Sequence, residues 1–135
     1  MNKTGSSNNQ SLDLVGRIGM VVARLIIGYL WVTQLGWKLP PQFGCPPDFT
    51  ASTSLQARTT GLCDWTGLMA VYSKIPAHGA FIQNVIVPNL SWIGWGIWLL
   101  EAFTAVSLIL GLVSRLGALA GFMQAVNLYI GLTAI

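Results

Sequence analysis

Long apolar runs stand out along the chain at 18–37 (IGMVVARLIIGYLWVTQLGW), 89–111 (NLSWIGWGIWLLEAFTAVSLILG) and 116–135 (LGALAGFMQAVNLYIGLTAI). Each has about the 20 residues that a helix needs to cross the hydrocarbon of a bilayer. Spans are predicted over about 18–37, 90–112 and 116–135. Leu39-Pro40-Pro41 stops the first, since proline has no amide hydrogen and clashes with the preceding turn. Pro88 sits just ahead of the second, where proline suits a helix start. Leu112 to Arg115 makes a tight turn into the third. The polar start, 1–17, lacks the order of a cleavable signal peptide and reads as a flexible tail.

The segment 38–89 is of another kind. Gly, Pro, Ser and Thr crowd 42–60, which predicts an extended loop. From Asp64 the apolar Trp65, Leu68, Met69 and Tyr72 recur at helical spacing, with Asp64 or Thr66 as a cap. That helix is too short to cross and is expected to lie in the interface, ended by Ile75-Pro76. A second short, mildly apolar segment follows over 77–87. The expected fold is an all-α integral membrane protein: three transmembrane helices in one membrane domain, 18–135, with short interfacial helices in a long outer loop.

Composition sharpens this. The 135 residues are 53% hydrophobic and only 8% charged, whereas a soluble domain is about a quarter charged. The net charge of +3 is scattered and forms no basic run, so nucleic acid is not an expected partner and membrane lipid is. Cys45 and Cys63 share the polar loop, which suits one disulfide in an oxidising compartment; they are too few for a metal site. Lys3, Arg17 and Arg115 on one side balance Lys38, Arg58 and Lys74 on the other, so the disulfide decides orientation. The loop is placed outside and the N-terminus in the cytoplasm of a bacterial or archaeal plasma membrane.

Glu101, near the middle of the second run, carries the candidate chemistry. A charge at the centre of hydrocarbon costs roughly 3 kcal/mol on the insertion scale unless it is paired. Arg24 in the first run is the expected partner of a buried ion pair, serving either structure or function. Trp92, Trp95 and Trp98 recur every third residue, as an aromatic belt or as the wall of a groove for a flat quinone ring. Gln124 and Asn127 share a face of the third run and need hydrogen-bond partners. Gly117, Gly121 and Ala125 form a small-residue stripe for close helix packing. His78, the single histidine, lies in a loop and is expected to be solvated. The sequence carries no haem-ligating His pair, no iron–sulfur Cys set and no dinucleotide glycine motif.

Arg24-Leu-Ile-Ile-Gly28-Tyr-Leu-Trp31 with Lys38, then Glu101, then Leu110-Gly111-Leu112-x-x-Arg115 and Gln124-x-x-Asn127-Leu128, resembles the DoxX/DoxD family. Within it, the pattern is most similar to the DoxD-type membrane subunits of thiosulfate:quinone oxidoreductases. The resemblance implies a four-helix membrane bundle tied to quinone-linked sulfur oxidation, with Arg24, Glu101 and Arg115 carried over. A fourth helix would then be missing, removed or supplied by a partner. Two functions follow as expectations. One is a membrane subunit of a quinone-linked oxidoreductase, with quinone bound near Trp95, Trp98, Glu101, Gln124 and Asn127. The other is a non-catalytic subunit of a larger respiratory or photosynthetic complex, docking other membrane subunits and shaping a quinone path.

Overall fold

The computed structural model describes residues 4–38, 40, 43–46, 49 and 61–133, with side chains from residue 12 onward. These residues form helices and connecting turns, with no strand among them. In chain order the helices are α1 (Thr4–Leu35), α2 (Leu62–Tyr72), α3 (Pro76–Phe81), α4 (Leu90–Leu110) and α5 (Ser114–Leu132). A π-helical turn, Ile82–Ile86, continues α3 without a break. Most of the 42–60 stretch expected as an extended loop, Arg58 included, lies outside the described residues, as do Lys3 and the end of the chain at 134–135.

Among the described residues, two helices are long and apolar enough to cross a membrane: α1 over Leu12–Leu35, and α4. The third expected span is helical and 19 residues long, but Arg115, Gln124 and Asn127 leave α5 less apolar than the other two. At the other end of the chain α1 starts at Thr4, so much of the tail expected to be flexible is helical. No proline interrupts residues 1–35, and a helix once nucleated by the apolar part can extend backward through them.

The elements stop where local chemistry stops them. Pro76 opens α3 at a position where its missing amide is not needed. Gly111 ends α4 with φ 72°, the left-handed conformation that glycine adopts without strain. Val113, with φ 50°, completes the reversal into α5.

Packing sets an uneven register. α1 and α4 run antiparallel, with Gly28 against Leu108 and Ile109, where a Cβ on the glycine would lie 2.8 Å from Ile109 Cγ1. Arg24 meets Gly111 at one end of the shared stretch, and Lys38 meets Glu101 at the other. The first half of α4 therefore extends beyond the end of α1, and Phe43 and Leu62 pack there instead. At the opposite end α1 runs past α4, and its residues from Leu12 to Ala23 are exposed.

α5 returns along α4. Gly117 seats against Ser107, and Gly121 against Thr104 and the Trp31 ring of α1. The glycines of the small-residue stripe thus serve packing within the chain, while Ala125 is exposed. Gly131 lies against Met69 of α2. Two adjoining apolar clusters fill the N-terminal end of α4. One is Phe43, Leu62, Cys63 and Leu90; the other is Met69, Ile82 and Val87.

Cys45 and Cys63 form a disulfide that ties this loop to α2. They are 18 residues apart, and closing a loop of that size is worth about 3 kcal/mol in the chain-entropy account. Replacing both by serine is expected to lower unfolding stability in detergent by about that amount. Denaturant titration of the oxidised protein and the double variant, in the same micelle, measures it. Equal midpoints would show that the loop is held by other contacts.

Candidate functional site

The end of α1 begins the site. After Leu35 the chain turns tightly, with the Lys38 amide donating to the Leu35 carbonyl at 3.2 Å. That turn aims the Lys38 side chain back at α4, where Nζ donates to Glu101 Oε1 at 2.5 Å. Both side chains are deeply buried, 7% and 5% exposed. The ammonium also lies 4.5 Å from the centre of the Trp37 ring, a cation–π distance. Trp65 of α2 stands beside Trp37, ring centres 6.2 Å apart and planes inclined at 49°.

Glu101 is therefore paired, but with Lys38 and not with Arg24. The register explains the difference. Arg24 lies alongside Gly111, ten residues beyond Glu101 on α4, or about 15 Å at the helical rise. Its guanidinium sits by the C-terminal end of α4, where exposed carbonyls favour a cation. Its Nε is buried and has no hydrogen-bond partner among the described residues. Arg115, in the first turn of α5, is exposed.

The ion pair forms part of the wall of a cavity of about 890 Å³ bounded by the end of α1, α2, α4 and α5. Trp37, Trp65, Met69, Ile97, Leu100 and Leu128 make much of that wall apolar. Glu101, Gln124 and Asn127 all border it, joined by Lys38, Gln34 and Thr66. Glu101 Oε2 and both amide atoms of Gln124 are buried and unpartnered among the described residues. Gln34 Oε1 accepts from Trp37 Nε1 at 3.2 Å.

Asn127 is held from behind. His78 Nε2 donates to its Oδ1 at 2.9 Å, and His78 Nδ1 shares a hydrogen bond with Ser73 Oγ at 2.8 Å. The lone histidine, expected to be solvated in a loop, is thus half-buried and links α3 to α5. No local signal marks this; 49 residues separate the two partners.

Trp95 and Trp98 lie elsewhere. Trp95 sets its ring edge-on to Phe43, centres 5.3 Å apart at 79°. Trp98 packs against the Phe43–Leu62 cluster, and Trp92 is 82% exposed. The rings at the cavity come instead from Trp37 and Trp65, which the every-third-residue pattern on α4 does not include. Comparison with protein-family models, with curated proteins and with solved structures found no match.

Proposed function

We propose that this chain is a membrane subunit of a quinone-linked oxidoreductase and that the cavity beside the Lys38–Glu101 pair is its quinone site. The observation that carries the reading is a buried ion pair set into the wall of an otherwise largely apolar cavity of ligand size. A lipophilic ring needs apolar walls and a few fixed polar atoms, and orphaned polar atoms at Glu101 and Gln124 supply the latter. Bound quinone would supply two-electron, two-proton chemistry; the chain's own residues bind and orient. Trp37 and Trp65 would cover the ring, Gln124 would hold a ring oxygen, and α2 would close the cavity on its outer side. The DoxX/DoxD resemblance belongs to this proposal, with thiosulfate oxidised on a partner subunit.

A second reading, a non-catalytic subunit of a larger respiratory or photosynthetic complex, draws its support from α1. Only 6% of its apolar window is buried, leaving a long face for helices of other subunits as well as for lipid.

Intrinsic fluorescence tests the first reading. A decyl-tailed benzoquinone titrated into the detergent-solubilised protein is expected to quench saturably. Trp37→Phe with Trp65→Phe should remove most of that saturable part, and Trp92→Phe should leave it. Quenching that rises without saturation, as for partition into the micelle, would overturn the assignment.

A further inference from the structure

The two oxygens of Glu101 face different demands. Oε1 accepts from Lys38, whereas Oε2 is buried, unpartnered among the described residues, and belongs to a residue only 4% exposed that borders the cavity. A buried acceptor left unmet is costly, so whatever fills the cavity is favoured if it brings a donor to that atom. Lys38 gives one of its three hydrogens to Oε1 and lies over the Trp37 ring, and its other hydrogens can meet the oxygen of a carbonyl or of a hydroxyl alike. Gln124 makes a different demand. Its amide both donates and accepts, so it suits a carbonyl and a hydroxyl equally. A carboxylate oxygen in an ion pair only accepts. Among ring oxygens, a hydroxyl can meet it and a carbonyl cannot.

We infer that the cavity prefers the reduced, hydroxyl-bearing ring over the oxidised one, the ring O–H donating to Glu101 Oε2 while Gln124 anchors either form. This rests on the cavity being a quinone site and names the redox state that it holds. A hydrogen bond to a charged acceptor is among the stronger ones, and its loss is worth about tenfold or more in affinity.

The test is equilibrium binding to the solubilised protein, read by tryptophan quenching under argon. Three probes share one ring and tail: the decyl benzoquinone, its quinol kept reduced with dithionite, and the di-O-methyl ether of that quinol. The quinol is expected to bind about tenfold or more tightly than either of the others, since the quinone and the ether keep the ring and tail but both lack the O–H donor. Glu101→Gln should erase the preference, because an amide can turn a donor toward a carbonyl. Gln124→Leu should weaken quinol and quinone alike. Equal affinities for quinol and quinone in the unaltered protein would overturn the inference and leave the quinone site standing. A quinol no tighter than its ether would do the same. Saturable binding of none of the three would remove both.

Discussion

Lys38→Met alone is expected to destabilise the folded chain in detergent by about 3–5 kcal/mol, and Lys38→Met with Glu101→Leu to recover most of that loss. The single change strands a carboxylate that is 5% exposed and has no second partner on Oε2 among the described residues. Breaking a buried pair from one side is expensive, whereas replacing both charges with apolar groups of similar size is often close to neutral. Arg24→Leu combined with Glu101→Leu should behave otherwise and lose stability additively, because the two residues are about 15 Å apart along α4. Chemical denaturation of the three single and two double variants in one detergent reads both cycles. Additive losses for Lys38 and Glu101 would refute their direct contact.

Gly94→Ala and Gly96→Ala should move stability in opposite directions, although they lie two residues apart on one helix. A Cβ at Gly94 would press into the stem of Phe43, with Phe43 Cγ at 2.7 Å, and approach Leu62 Cδ2 at 3.2 Å. Phe43 is 1% exposed and sits in the cluster beside the disulfide, so it has little room to yield. A cost of about 1–3 kcal/mol is expected, as for other overpacked cores. At Gly96 a Cβ meets nothing within 4 Å, so alanine there should be neutral or gain up to about 1 kcal/mol of helix propensity. Thermal unfolding followed by circular dichroism separates the two. A stable Gly94→Ala protein would mean that Phe43 does not pack against α4 in solution.

How far the sequence reaches can be seen residue by residue. The start of α4 at Leu90 and its end by Gly111 were legible, because Pro88 precedes the run and a glycine free to take the left-handed conformation closes it. The disulfide was legible from two cysteines in one polar loop. Glu101 stood out as an acid amid apolar residues, but its partner did not. Periodicity tells which face of a helix turns inward and says nothing of how far one helix slides along another. With α1 and α4 centred on each other, Arg24 is the natural partner; with the observed slide, the cation just past the end of α1 is. Trp37 and Lys38, an aromatic beside a cation at the end of an apolar run, suit a membrane boundary by composition, and nothing local marks their place in the wall of a cavity. The His78 contact with Asn127 was invisible because it depends on how α3 folds back onto α5.

The slide between α1 and α4 would also set how the pair fits a bilayer. The two apolar helices share about 15 Å of their length and together extend roughly 50 Å from Leu12 to Leu90, measured at the helical rise. Bilayer hydrocarbon is about 30 Å thick, so the pair cannot stand upright inside it with both overhangs covered. Tilting the bundle, thickening the adjacent lipid or letting one overhang emerge each relieves the mismatch at a modest cost per ångström. A bilayer centred on the shared stretch would put the Lys38–Glu101 pair about 7 Å from the midplane, on the loop side. If the pair spans a bilayer, thickness would act on the cavity by setting which overhang the hydrocarbon covers.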